Sequence, residues 1–155
     1  MVIRRARVRD AEIVRRISAE AYTAAYLPVI GYVPKPAIED YRPRIEQGCV
    51  WLLEADGEAR GVLVLEPEPD HLLVYSVAVS PQHQRSSRGR ALLEFAERHA
   101  RAIGINVIRL YTNLRMQKNL ALYRRRGFIE TGTRPHPSRP DQVLVDMEKR
   151  IVSSR

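Results

Sequence analysis

Two clusters in the sequence hold residue types that can do chemistry. The first runs Val79-Ser-Pro-Gln-His-Gln84-Arg-Ser-Ser87-Arg-Gly89-Arg-Ala-Leu-Leu93. Here an apolar run gives way to a polar turn and then to a helix start. A turn that opens a helix presents free backbone N–H groups and the positive end of the helix dipole, an arrangement that binds phosphate or pyrophosphate. Ser86, Ser87 and Gly89 are small enough to let the backbone approach an anion, and Arg85, Arg88 and Arg90 add positive charge. An ordinary β–α connection has the same outline, so the turn alone leaves both readings open. The second cluster is Asn119 and Tyr123, whose spacing puts them on one helix face. By residue type alone Tyr123 reads as a packing side chain ahead of a stop at Gly127.

The chain that must position these residues has 155 of them, 45% apolar and 28% charged. That is enough for one domain with a core needing neither disulfides nor metal, and a single domain over residues 1–155 is expected. The lone Cys49 has no internal partner and reads as a buried strand cysteine, compatible with a reducing cytoplasm. No run of about 18 apolar residues predicts a membrane span, and the N-terminus lacks the apolar core of a signal peptide. The net charge of +8 favours anionic partners. Nucleic acid is one and a polyanionic co-substrate another. The positive charge is mostly arginine dispersed along the chain, and no DNA-binding signature accompanies it.

Hydrophobic spacing predicts the elements. Val2 to Val8 reads as a first strand. Asp10 opens a helix that should stop before Pro28. A second helix is expected over about residues 36–47, ending near Gly48. Two apolar runs, 49–54 and 61–66, flank Asp56-Gly57, a hairpin signal. His71 to Ser80 is almost wholly apolar or small and fits a central strand buried on both faces. A helix from Arg88 to about Gly104 follows, with Leu92, Phe95, Ala96, His99 and Ile103 on one face. A strand over 106–112, a short helix over 116–126 closed by Gly127, and strands over 128–134 and 142–149 complete the order βααβββαβαββ, an α/β (α+β) mixed-sheet class.

The run Val77 to Ala96, with Gln84 and Gly89 as its fixed points, resembles the acetyl-CoA signature of the GNAT superfamily of N-acetyltransferases. That pattern is Gln/Arg-x-x-Gly-x-Gly/Ala after a Val-x-Pro strand end. Ser87 stands where the family usually has Gly, and Arg85 where many members carry another. The stretch Ile108 to Gly132 resembles the family's C-terminal half more closely, with Asn119-x-x-x-Tyr123 and then Gly127-Phe128 at family spacing. The element order also agrees with the family's mixed sheet, splayed between its fourth and fifth strands.

The resemblance implies roles. Val77, Ala78 and Val79 would pair with pantetheine through their backbone, one N–H polarising the acyl carbonyl. Gln84, Arg85, Ser86, Ser87, Arg88, Gly89 and Arg90 would surround the pyrophosphate. Asn119 would contact the pantetheine or phosphate part of coenzyme A, and Tyr123 would protonate the departing thiolate. Acetyl-CoA would be the co-substrate, with no metal, and a primary amine of a small molecule or peptide the acceptor. The implied function is N-acetyl transfer by direct attack in a ternary complex. The base that deprotonates the amine is not fixed by the pattern: His71, Glu20, Glu66, Glu68, Asp70 and water all qualify. The family builds its acceptor pocket from elements equivalent here to Tyr22–Tyr41 and Arg134–Gln142, where Tyr22, Tyr26, Tyr32 and Tyr41 either line a pocket or pack. No acidic pocket of the kind a polyamine needs is evident. A homodimer is admissible. A catalytically weak acyl-CoA-binding module of the same fold and a basic nucleic-acid-binding protein are the competing readings. Replacing Ser87 by Gly is expected to tighten coenzyme A binding in calorimetry, if the serine crowds the pyrophosphate; unchanged affinity would mean that serine fits the turn without strain.

Overall fold

The computed structural model describes residues 1–83 and 87–151. Seven strands form one sheet: β1 (Val2–Arg5), β2 (Val50–Ala55), β3 (Glu58–Pro67), β4 (Leu72–Val79), β5 (Val107–Asn113), β6 (Ile129–Pro135) and β7 (Val143–Arg150), in the order β1-β2-β3-β4-β5-β7-β6. Four α-helices accompany them: α1 (Ala11–Ile30), α2 (Arg42–Glu46), α3 (Arg88–Ala102) and α4 (Gln117–Arg125). The order of strands and α-helices is the one the hydrophobic pattern predicts. β4 and β5 run parallel and every other strand pair is antiparallel.

The continuous apolar runs of β2 and β3 bury both faces of the sheet, which is why they do not alternate. Leu53, Leu63 and Leu65 pack with Leu92, Ala96 and Ala100 of α3 and Leu120 of α4. Leu52, Val62 and Val64 point the other way, against Val14, Ile17 and Ala21 of α1. Each fully buried Leu or Val contributes about 1.5–3 kcal/mol of transfer free energy. Asp56 and Gly57 both have positive φ, 55° and 77°. That is the geometry of a type I′ turn, which suits the twist of the β2–β3 hairpin.

Several expectations need correction. The first strand stops at Arg5, and Val8 begins a short 3-10 turn. α1 does not stop before Pro28 but runs through it to Ile30, where Gly31 closes it with an N–H donated to the Leu27 carbonyl at 3.1 Å. Proline removes one intrahelical donor. Burial of Ile30 and the hydrogen bonds of Tyr26 described below hold the last turn against that loss. The helix expected over 36–47 is in fact a 3-10 turn at Lys35–Ala37 and a five-residue α2; Pro43 in the middle of that span removes an intrahelical donor and is accommodated only as the first turn of a new helix. Cys49 likewise stands before β2 and is half-buried rather than buried.

Two irregularities shape the centre. The register of β3 and β4 passes from Val64↔Ser76 to Leu65↔Val74, so Tyr75 is an extra residue bulging from β4. β4 and β5 pair only at Leu72↔Ile108 and Leu73↔Arg109, after which β5 continues beside β7 alone.

α4 ends in a Schellman motif. Phe128 N–H reaches the Tyr123 carbonyl and Gly127 N–H the Arg124 carbonyl, both at 3.0 Å. Gly127 has φ +91°, and the Phe128 ring packs edge-on against Tyr123 at 5.9 Å. A side chain at position 127 would be strained by the left-handed backbone and would meet Lys149 Cε at 3.3 Å. Gly127→Ala should therefore lower stability by about 1–2 kcal/mol in denaturant titration.

Candidate active site

The parting of β4 from β5 opens a wedge, and the ends of three helices close on it. Beside the wedge lies a cavity of about 570 Å³ walled by α1, β4, the start of α3 and α4. Past Leu73 no described strand pairs with the β5-facing edge of β4, so main-chain groups of the central strand border this space. Edge groups of this kind seek a partner in a ligand or water.

Val77 and Val79 line the cavity, while Ala78 is buried on the opposite face against the α1 layer. Ser87, the residue before α3, has φ −75°, a backbone any residue adopts, so the turn makes no demand for glycine there. Its carbonyl accepts the Ala91 N–H at 2.9 Å. Gly89 faces the cavity, and a Cβ added there would lie 4.0 Å from Val79 Cγ2. Arg90 also lines it and donates Nε–H to Glu94 at 2.9 Å. Arg88 is half-buried in the first turn of α3. Gln84, Arg85 and Ser86 lie outside the described residues.

On the other wall α4 presents Asn119 and Tyr123 together, as their spacing predicts. Asn119 Nδ2 donates to the Tyr26 hydroxyl at 3.0 Å and to Thr112 Oγ1 at 3.3 Å, and those two oxygens lie 3.2 Å apart. This triangle ties α4 to α1 and β5 across the wedge. Tyr123 is half-buried and lines the cavity; burial pushes its phenol above the usual tyrosine value, with Tyr26 adding to the effect. Burial also raises Tyr22 and Tyr26, whose rings stand 5.3 Å apart. All three phenols stay protonated at neutral pH, so each is available as a hydrogen-bond donor.

Tyr22 and Tyr26 also border a second cavity of about 370 Å³ between the end of α1, the loop after it and the β6–β7 end of the sheet. Tyr32, Tyr75 and Tyr111 add to its walls. Tyr41 does not line it: that side chain is 1% exposed in the α1 layer, its hydroxyl donating to the Pro36 carbonyl.

None of the expected base candidates lines either cavity. His71 binds Asp70 at 2.7 Å and borders a different pocket with Arg109. Glu66 pairs with Arg44. Glu20 lies in a polar cleft with Arg16 and Arg60, and Glu68 turns back to hydrogen-bond His71 through the main chain. Sequence reading missed Glu39, which accepts the Tyr75 hydroxyl at 2.7 Å and pairs with Arg44. It also missed Thr112 and Arg126, which lines the first cavity. No local pattern marks Glu39, whose partner lies 36 residues away.

The space suits coenzyme A: a slot bordered by strand edge, with a helix N-terminus and arginines at one end and hydroxyl donors at the other. The fold agrees. PaiA N-acetyltransferase from Thermoplasma acidophilum, solved in complex with coenzyme A, superposes with a TM-score of 0.78 over 96% of this chain and 98% of its own, at 19% identity. The ribosomal-protein-S18-alanine N-acetyltransferase from Escherichia coli gives 0.76 over 99% of this chain and 96% of its own, also at 19% identity. In sequence, N-acetyltransferase family 8 member 3 of Rattus norvegicus is 32% identical over 90 residues, 54% of this chain and 40% of the rat protein. IAA acetyltransferase of Azospirillum brasilense is 34% identical over 89 residues, 57% and 58% of the two chains. The matched stretch thus spans about half the length of these curated relatives. The family model of the acetyltransferase (GNAT) family matches residues 12–128, well over half the sequence, and the chain belongs to that family.

Proposed function

We propose that this chain is an N-acetyltransferase that moves the acetyl group of acetyl-CoA to a primary amine in a ternary complex. The observation that carries this reading is the convergence on one cavity of the β4 edge, the N-terminal turn of α3 and the buried Tyr123 phenol. The β4 edge along Val77 to Val79 would hold pantetheine and offer an N–H to the acyl oxygen, as preorganised donors do. Ser87, Arg88, Gly89 and Arg90, continuing the turn from Gln84, Arg85 and Ser86, would hold the pyrophosphate. Asn119, fixed by Tyr26 and Thr112, would set the position of α4 against the bound co-substrate.

In the transfer step the neutral amine nitrogen bonds to the acyl carbon and the C–S bond breaks, its electron pair going to sulfur. Tyr123 gives its proton to that sulfur, and the proton released by the amine returns through water, so acetyl-CoA and the ammonium become amide, coenzyme A and a proton. Burial raises the Tyr123 phenol, which keeps the acid form populated where an ordinary tyrosine would ionise.

A catalytically weak acyl-CoA-binding module is the second reading. It is favoured by one observation: among the described residues, no carboxylate lines either cavity to act as a direct base. Binding of acetyl-CoA without thiol release across a panel of amines would select it.

Tyr123→Phe is expected to leave acetyl-CoA affinity in calorimetry nearly unchanged and to lower turnover about 100-fold; full turnover in the variant would remove the acid role. The sign of the phenol shift gives a second expectation. A raised value retains the proton to higher pH, so turnover should not decline as pH is brought to about 10, the ordinary tyrosine value. A fall with a midpoint below that would contradict the buried acid.

A further inference from the structure

The second cavity carries an inference about the acceptor, which rests on the N-acetyltransferase reading. Its position fits an acceptor site: Tyr22 and Tyr26 border both cavities, so a molecule there would present its end to the place where Tyr123 stands. Its size, about 370 Å³, suits one small molecule.

Its walls are of two kinds. Five tyrosines with Ile30, Pro34 and Leu144 make a surface for a flat or branched apolar body. The charged groups on the wall, by contrast, are cations. Lys35 and Arg134 line it, and among the described residues no Asp or Glu does. Arg139 adds a third cation nearby, stacked 3.6 Å over the Tyr32 ring. The carboxylates that touch this wall are already engaged. Glu39 sits behind Tyr75, held by that hydroxyl and by Arg44; Asp146 pairs with Arg134 at 3.0 Å. The Lys35 side chain is 75% exposed and its ammonium stands 4.0 Å from Glu39, a loose pairing that leaves its charge open to a ligand.

We infer that the acceptor is a small amine whose apolar, aromatic-sized body also bears a carboxylate, the chemistry of an aromatic or large aliphatic amino acid. The tyrosine walls take the body and Lys35 takes the carboxylate, with Arg134, already paired to Asp146, bordering the same wall. The amine is then the end directed past Tyr22 and Tyr26. A polyamine is excluded by the same wall: its further ammonium groups would lie among cations with no free carboxylate to answer them, and like charges discriminate strongly between ligands.

The test is coenzyme A release from acetyl-CoA with phenylalanine, phenethylamine, glycine and spermidine. Phenethylamine is phenylalanine without its carboxylate, and glycine is the same head without the body. Phenylalanine is expected to exceed each of the others at least about tenfold in kcat/KM, the scale of one hydrogen bond to a charged group. Lys35→Glu, a change at an exposed position, should cut the phenylalanine-to-phenethylamine ratio by about as much while acetyl-CoA affinity holds. Spermidine or phenethylamine turning over faster than phenylalanine, or no turnover of any acceptor while acetyl-CoA still binds, overturns the assignment of the acceptor. Failure to bind acetyl-CoA overturns the acyl-transfer reading itself, and this inference with it.

Discussion

Everything in the site depends on β4 and β5 ceasing to pair after Leu73 and Arg109. A central strand whose edge is left without a neighbour forgoes several backbone hydrogen bonds, and such groups must find partners elsewhere. The sheet tolerates the gap because each strand is secured on its other side: β4 by β3 over its whole length, and β5 by β7 through the antiparallel register from Val107↔Arg150 to Asn113↔Leu144. The opening is therefore framed by strands that are each paired on their far side. The bulge at Tyr75 sits on the same strand, just past the point of separation. A bulge re-aims side chains; with the extra residue, Tyr75 packs toward the α1 layer and still reaches the second cavity.

A wedge between strands would be filled by solvent unless something fixed its walls. The Tyr26–Thr112–Asn119 triangle does so with one contact from each of α1, β5 and α4. Partly buried polar networks of this sort are worth holding only when each member is satisfied. Here the amide donates twice and the two hydroxyls face each other. The Schellman cap does the same for Tyr123. Its carbonyl accepts the Phe128 N–H, its ring meets the Phe128 ring, and Gly127 supplies the backbone turn between them. The spacing of Tyr123, Gly127 and Phe128 is thus one structural device that places a phenol at the cavity wall.

These devices differ in how far they can be seen in the sequence. The hairpin at Asp56-Gly57 and the close of α4 at Gly127 are local: neighbouring residues determine them and the sequence pattern predicts each. By contrast β4, expected to be buried on both faces, alternates buried with half-buried residues because its Leu73, Tyr75 and Val77 face is only partly covered. Where long-range packing outweighs local propensity the expectation fails. Pro28 marks a helix end by its own chemistry, yet α1 continues because Tyr26 is anchored to β5 and α4, 86 and 93 residues away in sequence. Pro43 is the reverse case, breaking a helix that apolar spacing alone would allow. The Tyr75–Glu39 bond joins a strand to a loop and leaves no periodic trace. The shared face of Asn119 and Tyr123 was legible, whereas the hydrogen bonds that orient Asn119 were not.

The net charge of +8 shows why amount of charge is a poorer guide than placement. Arg4 binds both Asp10 and Glu54, Arg44 both Glu39 and Glu66, and Lys149 binds Glu97. Those cations are answered locally, by partly buried carboxylates. Around the first cavity the balance is different: Arg90 and Arg126 share the single Glu94, at 2.9 and 3.8 Å. Two guanidiniums against one carboxylate leave net positive charge at the mouth of a slot, where a polyphosphate end would lie and where exposure to solvent still permits exchange. A polyanionic co-substrate needs excess charge at that place alone, so the charge of the whole chain by itself selects no partner.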